Sequence, residues 1–314
     1  MGGGSWTSAD WGSYSSTNAG KSTAQIFTQS SIHPDYDPLK ITVRESCDSP
    51  DHPESTPIII AFDVTGSMSE IPTEMVKTGL PTVIEQTLTH KPVPDPQFLM
   101  AAVGDAYSDR APFQATQFES DIRIAQQLTD LYLEGNGGGN GGESYHLAWY
   151  FAAKKTKTDS LTKRGKKGIL FTIGDEHLHP KLTSEAIERI FGDKIGEDIS
   201  SEELISMAEK HYDLYHIICT HGMDDGSYFD PVIKSWQGIL GKSRVIVLKD
   251  HEHLPEIIAA TLRVHAGEPT ADVAKTWSGN TAIAVVDALK NLPTPTRGGG
   301  GKPTVWRPTS ALVA

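Results

Sequence analysis

Residues 57–69 constrain the fold more than any other part of this sequence. Five consecutive apolar residues, 58–62, are followed at once by Asp63-Val64-Thr65-Gly66-Ser67. A short apolar run that ends abruptly in an acid is typical of a strand buried in a parallel sheet. Gly66 and Ser67 then indicate a turn into a helix. The sequence therefore predicts a buried strand that delivers polar side chains to one edge of a sheet.

Three oxygen-bearing side chains alternate at the end of this strand. Asp63, Thr65 and Ser67 point the same way if the chain is still extended there. One carboxylate and two hydroxyls are hard oxygen ligands, which suit Mg²⁺ (or Mn²⁺) with waters kept in place. The alternative is that Asp63 caps the following helix and the hydroxyls satisfy turn amides. So short a pattern also recurs by chance, and the five residues alone leave both interpretations open.

These residues resemble the metal-ion-dependent adhesion site of the von Willebrand factor A domain, whose opening motif is Asp-x-Ser-x-Ser. Thr65 stands at the first hydroxyl position of that motif. The resemblance covers roughly residues 55–265, about two thirds of the chain. It implies a doubly wound sheet and a site that binds partners through a Mg²⁺ ion.

From residue 57 onward, apolar strand patterns alternate with helical patterns, which predicts a parallel sheet covered on both faces. The predicted strands are 58–62, 98–103, 113–118, 168–173, 215–219 and 245–248. The predicted helices are 74–88, 121–131, 145–154, 184–191, 201–211, 229–240 and 254–265. Residues 104–110 are too few for a crossover helix, so the second and third strands should form an antiparallel hairpin. The predicted fold class is α/β: a doubly wound, mostly parallel six-stranded sheet with one antiparallel edge strand and helices on both faces.

A second acid follows the fourth predicted strand. In doubly wound sheets, ligands bind outside the carboxyl ends of the strands, where the strand order reverses. The strand order 3-2-1-4-5-6 makes the first and fourth strands neighbours at that point. The fourth strand is followed by Gly174-Asp175-Glu176. We therefore expect Asp175 to face Asp63 as a further metal ligand.

The remaining ligand of A domains is usually a Thr from a loop that precedes this strand, and the glycine-rich loop 135–144 contains no Thr. The loop resembles instead the Gly-Gly-Gly-Asp-x-Pro-Glu loop of A domains attached to alpha-type kinases, although no kinase domain is present. Residues 105–110 and 174–176 similarly resemble two further segments of those domains. The resemblance implies Asn140 as the third ligand, with Ser144 or Glu143 as alternatives. The expected partner-binding residues are Ser144, Glu143, Asp109 and Glu176.

The sequence divides into four segments by composition. Residues 1–54 are predicted to be a flexible Gly/Ser-rich arm and an extended segment with one short strand at 40–44; alternatively, Trp6, Trp11 and Tyr14 pack on the domain. Residues 55–265 form the predicted A domain. Residues 266–292 form a helical extension that docks on it through a helix at 281–292. Residues 293–314 are predicted to be a flexible Gly/Pro-rich tail.

Charge and cysteine content narrow the expected partners and compartment. Forty acidic against 28 basic residues give a net charge of −12, which argues against nucleic acid and anionic membranes as partners. The sequence shows neither an apolar run of transmembrane length nor a signal-peptide pattern. Cys47 and Cys219 are too few for a disulfide framework. We therefore expect a cytoplasmic protein.

The preferred functional prediction is a binding module, not an enzyme, in which an acidic side chain of a protein partner completes the coordination of Mg²⁺. Intracellular A-domain proteins resemble adaptors for MoxR-type AAA+ ATPases, which makes such an ATPase the implied partner. A metal-dependent hydrolase is one alternative, because His177 and His179 follow Asp175 closely. We expect those two histidines to face solvent. A structural subunit of a larger assembly is the other alternative.

Overall fold

A six-stranded sheet forms the centre of the structure, a computed structural model that describes residues 4, 8–134, 141–221 and 228–293. Its strands are β1 (Thr56–Asp63), β2 (Pro96–Val103), β3 (Phe113–Ala115), β4 (Gly168–Gly174), β5 (Tyr212–Cys219) and β6 (Val245–Leu248). They are ordered β6-β5-β4-β1-β2-β3. All neighbours are parallel except β2 and β3. The predicted α/β fold class and strand order are confirmed, with β3 as the antiparallel edge strand.

The central strand β1 is buried along its whole length, as its unbroken apolar run predicts. Ile58, Ile60 and Phe62 belong to the apolar cluster on one face of the sheet, and Ile59 and Ala61 belong to the cluster on the other. Alternation of side chains along a strand makes this division unavoidable. The sheet therefore has two dry faces, and polar side chains of β1 can reach water only near its ends.

Helices cover both faces. They are α1 (Ser8–Asn18), α2 (Thr23–Ile26), α3 (Glu70–Glu74), α4 (Leu80–His90), α5 (Arg123–Thr129), α6 (His146–Lys154), α7 (Asp159–Arg164), α8 (Ser184–Phe191), α9 (Ser201–Ala208), α10 (Phe229–Leu240), α11 (Leu254–His265), α12 (Thr270–Ala274) and α13 (Gly279–Leu289). Apolar side chains of α4, α11 and α13 share one cluster, and those of α6, α8, α9 and α10 share the other. The predicted bounds of the helices at 184–191, 229–240 and 254–265 agree with the structure.

Two predicted elements differ from the structure for local reasons. The helix expected at 74–88 is instead α3, a π-helical turn at Met75–Gly79 and α4. Pro81 has no N–H to donate to the carbonyl four residues earlier, so regular α-helical bonding is interrupted. The strand expected at 113–118 ends at Ala115, because the Thr116 hydroxyl accepts the Met100 N–H bond at 2.9 Å.

The strand expected at 40–44 lies later in the chain and away from the central sheet. The observed strand Arg44–Ser46 pairs in parallel with Thr156–Thr158 in a separate two-stranded ladder. The Arg44 N–H extends this contact by donating to the Lys155 carbonyl at 2.7 Å. The edge of β3 instead meets the Tyr36 carbonyl, which accepts from the Ala115 N–H at 3.2 Å. The extended segment therefore wraps the domain rather than widening its sheet.

The segments on either side of the predicted A domain pack on it. Of the two interpretations of the N-terminal arm, the structure favours packed aromatics over a flexible chain for residues 8–18, because Trp11 of α1 is only 8% exposed. In α13, Val285 and Leu289 are fully buried in the cluster that contains α11. That helix covers Gly279–Leu289, slightly earlier than the predicted 281–292. Trp6 and the tail 294–314 lie outside the described residues.

No helix within the described ranges is long and apolar enough to cross a membrane.

Replacing Trp11 with Ala tests whether α1 is part of the core. We expect the free energy of unfolding in urea to fall by about 3 kcal/mol, since the side chain leaves a cavity in a closed cluster. Ser13→Ala in the same helix, at an exposed position, is the matched control and should change stability by less than about 0.5 kcal/mol. Equal, near-zero effects of the two variants would mean that α1 is a dispensable arm.

Candidate metal centre

The ends of β1 and β4 define the candidate site. The two strands are parallel neighbours, with Phe62 opposite Ile173. Asp63 is the last residue of β1, and Asp175 comes directly after β4. Because β2 lies on the other side of β1, this edge is the point at which the strand order reverses. The structure thus brings together the two acids that the sequence assigned to one edge.

Asp63 is completely buried and fully hydrogen-bonded. Its Oδ1 accepts from the Thr65 N–H at 2.7 Å and from the Thr65 hydroxyl at 2.6 Å, and its Oδ2 accepts from the Tyr145 hydroxyl at 2.8 Å. Burial raises the pKa of Asp63 to about 7, and the negative charge of Asp175 contributes to that rise. The carboxylate is therefore held in a fixed orientation, yet it bears an electrostatic cost that a cation would relieve.

The capping alternative for Asp63 takes a different form in the structure. The short 3₁₀-helix Gly66–Met68 begins after Thr65, which occupies the N-cap position without a side-chain capping bond. Asp63 lies two residues further back and closes a turn on the Thr65 N–H instead. Ser67 is exposed, whereas Thr65 is only 3% exposed. Of the two hydroxyls, Ser67 is thus the one open to solvent.

Tyr145 connects the two acid-bearing loops, and it was not among the site residues predicted from the sequence. Its hydroxyl donates to Asp63 and accepts from the Glu176 N–H at 3.3 Å. The ring lies directly over Gly174, where an added Cβ would stand 2.0 Å from the tyrosine hydroxyl. The one sequence signal for this contact was Gly174, because a glycine inside a strand often marks the close approach of another group.

One carboxylate oxygen of Asp175 is not used in a hydrogen bond with the described residues. The side chain is nearly buried, and its Oδ1 finds no hydrogen-bond partner among the described residues. Its Oδ2 lies 3.4 Å from His221 Nε2, and this contact raises the pKa of His221. A buried acceptor without a hydrogen-bond partner destabilises the folded state, and most buried acceptors in proteins therefore have a partner. Asp175 Oδ1 is therefore a ready oxygen donor for a cation.

Glu143 is the strongest of the three residues considered for the third ligand. Asn140 lies outside the described residues. The Ser144 hydroxyl donates to Asp105 Oδ1 at 2.8 Å and accepts from the Ala106 N–H at 2.9 Å, so its hydrogen bonds are already used. Glu143 is 2% exposed, and its Oε2 has no partner in the described part of the chain. Burial raises its pKa, and among the nearby charges that of Asp63 contributes most.

The backbone around Glu143 is fixed by residues that follow β4. Its N–H donates to the His177 carbonyl at 2.8 Å, and its carbonyl accepts from the His179 N–H at 3.3 Å. Its neighbour Ser144 is anchored to Asp105, as described above. The same Asp105 Oδ1 lies 2.9 Å from His179 Nε2. One buried carboxylate therefore ties the loop of Glu143 to the loop of Asp175.

This network corrects two expectations about exposed residues. His179 was expected to face solvent, but its ring contacts Asp105 and meets the Tyr107 ring edge-on at 5.0 Å between centroids. Asp109 and Ser144 were expected to touch a partner, but both are buried. Asp109 Oδ2 accepts from the Asp105 N–H at 2.8 Å, so it braces the loop. Glycine at 104 makes room for this bond, because a Cβ there would lie 2.4 Å from the same oxygen.

Glu176 lies at the mouth of the site and is partly exposed. Its carboxylate accepts from the hydroxyl of Tyr228, and its carbonyl accepts from Trp236 Nε1 at 2.9 Å. The tyrosine is itself 47% exposed. Of the four residues predicted to bind a partner, Glu176 is the one that the fold leaves within reach of another molecule.

The donor set fits a hard cation better than a soft one. In the described part of the chain, no three His, Cys, Asp or Glu side chains cluster closely enough to hold a metal by themselves. Cations of the Mg²⁺ type do not need such a cage, since they retain water and take a few carboxylate and hydroxyl oxygens. Asp63 and Asp175 supply carboxylate oxygens, and Thr65 and Ser67 supply hydroxyl oxygens. Glu143 lies near enough for the charge of Asp63 to act on it.

Comparisons with known proteins return likenesses of structure only. No family model matches the sequence. No curated protein matches it either. Similar solved structures include the pilus adhesin SpaC of Lactobacillus rhamnosus GG in its open conformation, with 11% identity and a TM-score of 0.43 over 71% of this chain and 30% of the adhesin. A von Willebrand factor type A protein of Catenulispora acidiphila has 15% sequence identity and a TM-score of 0.37 over 68% of this chain and 43% of that protein. The conserved hypothetical protein BatB of Bacteroides thetaiotaomicron has 12% sequence identity and a TM-score of 0.38 over 67% of this chain and 98% of BatB.

The chain spans less than half the length of the first two of these proteins. At identities and TM-scores this low, the likenesses carry no argument about function. The class of fold rests on the strand order of this chain itself. A six-stranded, mostly parallel sheet with one antiparallel edge strand and helices on both faces is a vWA/Rossmann-like α/β architecture.

The raised pKa of Asp63 predicts a specific pH dependence in metal-free buffer. An unfolded Asp releases its proton near pH 4, whereas the buried Asp63 retains it until about pH 7. Between these values the native state binds more protons than the unfolded state, so the free energy of unfolding falls as pH rises. Asp63→Asn removes this contribution. In EDTA, the melting temperature of this variant should therefore fall less between pH 5 and pH 8 than that of the wild type.

The control for this experiment is Asp51→Asn, at an exposed position before β1 begins. It should keep the pH dependence of the wild type. If Asp63→Asn and the wild type lose melting temperature in parallel from pH 5 to pH 8, the carboxylate of Asp63 ionises normally and the interpretation of its burial is wrong.

Proposed function

We propose that this protein is a metal-dependent protein-binding module in which Asp63, Thr65, Ser67 and Asp175 hold Mg²⁺ (or Mn²⁺), directly or through water. The observation that carries the proposal is the convergence of two buried acids at the switch point, one of them with an unpartnered oxygen. A bound dication would offset the repulsion between the carboxylates and offer a positive site to an acidic side chain of a partner.

Glu143 is the third acidic group in this proposal, in place of Asn140, and it would reach the cation through water, because no three acids of the described residues lie close enough to hold a metal by themselves. Three observations support it: its burial, its unpartnered Oε2, and the contribution of the Asp63 charge to its raised pKa. Without a cation, keeping Glu143 ionised beside Asp63 is unfavourable, so its carboxyl group holds its proton. With a cation, the same carboxyl would release the proton and contribute its charge to binding the ion, since metal binding competes with protonation.

The partner is a protein that presents a carboxylate to the metal and additional groups to the rim around it. Glu176, which follows Asp175, and its hydrogen-bond partner Tyr228 would form part of that rim, and Ser67 is also exposed. The net charge of −12 favours a partner whose contact surface is basic around that carboxylate. The partner class implied by the family resemblance is a MoxR-type AAA+ ATPase in the cytoplasm, and we keep it as part of the proposal.

Binding is favoured over catalysis by the contacts of the nearby histidines. His179 is held by Asp105 and Tyr107, so its imidazole has a structural use in joining the loops of the site. His221 contacts Asp175 itself, which makes it a counter-charge to a ligand rather than a base aimed at a substrate. A hydrolase needs a base within reach of a metal-bound water and a substrate pocket beside it. We therefore propose that the site recognises a partner and performs no reaction.

The metal part of the proposal is tested by melting curves in Mg²⁺ and in EDTA. A ligand bound only by the native state stabilises it by about 2.7 kcal/mol at a hundredfold excess over its Kd. The wild type should melt higher in millimolar Mg²⁺, and Asp63→Ala should lose this difference. Glu143→Gln should reduce it while raising stability in EDTA, because at neutral pH the wild-type Glu143 takes up a proton on folding, which costs free energy, and glutamine does not.

Asp213→Ala is the matched control and should retain the full Mg²⁺ response, since it removes an acid from the other end of the sheet. An equal loss of stability for Asp63→Ala in both buffers would show that Asp63 only supports its turn. An unchanged response in Asp63→Ala would place any bound metal elsewhere and contradict the proposed site.

Partner capture provides the functional test. Tagged wild-type protein is incubated with a purified MoxR-type ATPase, with Mg²⁺ or with EDTA, and the bound fraction is measured. We expect binding in Mg²⁺ to fall to the EDTA level in Asp63→Ala and to persist in Asp213→Ala. Because such an ATPase has its own metal requirement, the variant comparison rather than the buffer comparison decides. Equal binding by both variants would contradict a metal-bridged contact.

A further inference from the structure

An apolar groove runs along the outer edge of the sheet, on the far side of β5 from the candidate metal centre. It has a volume of about 860 Å³ and lies between β6 and α13. Val247 and Leu248 line it on the strand side, and Ala282, Ile283 and Val286 line it on the helix side. Within the described residues, β6 pairs only with β5, so the groove follows an open strand edge.

The helix α13 is apolar on two sides, although only one side is buried in the core. Val285 and Leu289 are fully buried, as a core helix requires. Ile283 and Val286 point the other way and are 69% and 54% exposed. A single exposed apolar residue needs no explanation, but two beside an open strand edge form a surface suited to an added strand. Backbone groups of the edge would supply affinity, and the helix side would accept an apolar side chain.

We propose that the groove is occupied by the C-terminal tail of this same chain, through residues 303–308. Thr304, Val305 and Trp306 combine two β-branched residues with an aromatic one, the composition that favours strands. Pro303 and Pro308 bracket them, and proline is tolerated on a strand that forms the edge of a sheet. The segment thus has the chemistry of an edge strand with one large apolar side chain to bury.

The covalent connection places this segment within reach. Lys290, which lines the groove, is followed after residues 291–293 by the tail. Twelve residues, 294–305, precede Trp306 and span at most about 40 Å when extended. The helix α13 is about 16 Å long, so the tail can return alongside it to β6. A segment tethered this closely has an effective concentration in the millimolar range, and modest contacts therefore suffice.

The groove wall carries charges of both signs. Asp250 and Asp287 lie there with Lys249 and Lys290, and Lys290 Nζ donates to Asp287 Oδ1 at 2.8 Å. Residues 294–314 contain three basic residues and no acidic one. The tail is therefore favoured by its apolar residues and its short tether rather than by charge.

The first experiment is site-specific photo-crosslinking in the full-length chain. A benzophenone amino acid replaces Val286, and equal amounts of isotopically light and heavy protein are mixed before irradiation. We expect crosslinks to residues 303–308 that join light to light and heavy to heavy. Mixed light-heavy crosslinks would mean that the groove binds a second copy, which overturns the proposal. Crosslinks that never reach the tail would overturn it as well.

The second experiment measures amide hydrogen exchange at Val245–Leu248. In the wild type, occupation of the groove should slow exchange of the outward-facing amides, and Val305→Ser with Trp306→Ser should accelerate it about tenfold. Thr309→Ser with Leu312→Ser in the same tail is the matched control and should leave the rates unchanged. Identical rates in the wild type and in the Val305/Trp306 variant would contradict docking at β6.

Both experiments are carried out in EDTA as well as in Mg²⁺. The groove and the metal centre lie on different parts of the sheet, so tail docking should be equal in the two buffers. Asp63→Ala should likewise leave the crosslinks in place. A failure of the metal proposal would therefore not affect this result, and loss of docking in Asp63→Ala would contradict the independence of the two sites.

Discussion

The burial of one carboxylate, Asp63, is the constraint on which the functional edge of this structure depends. A fully buried acid can be kept in a fold only if hydrogen bonds or charges replace its lost water. Here Thr65 and Tyr145 provide three such bonds, and each requires a particular backbone arrangement. The tyrosine in turn requires a glycine at 174, where no side chain obstructs its ring. One acid thus fixes the turn after β1, the start of α6 and the end of β4.

Much of the fold could be predicted because its signals are local. Unbroken apolar runs that end in polar residues define β1 and β4, and the short 104–110 link rules out a crossover helix. From these facts the strand order and the meeting of Asp63 with Asp175 follow through general rules of sheet topology. The π-helical turn before Pro81 and the early end of β3 at Ala115 were missed. The missing N–H of Pro81 and the hydroxyl of Thr116 change single hydrogen bonds, which the spacing of apolar residues does not reveal.

The rest of the site could not be derived from sequence because it consists of contacts between distant segments. The Tyr145 hydroxyl reaches Asp63 from 82 residues away, and Ser144 reaches Asp105 from 39 residues away. In sequence, each of these side chains has an ordinary alternative as a helix or loop residue. Glu143 was ranked behind Asn140 because a family pattern was transferred by position, whereas the structure distinguishes candidates by burial and by unsatisfied oxygens.

Hydrogen bonds distinguish the acids that brace the loops from the acids that have an oxygen left for a ligand. Asp105 and Asp109 are buried acids whose oxygens accept from Ser144, Ser108 and a backbone amide, which is the pattern of a structural brace. Asp175 and Glu143 are equally buried, yet each retains an oxygen without a partner in the described chain. A protein that needed these two acids only for stability would gain by replacing them with neutral, well-packed residues. Their placement beside Asp63 is costly without a cation and would be favourable with one, and this difference supports the proposed metal-dependent role.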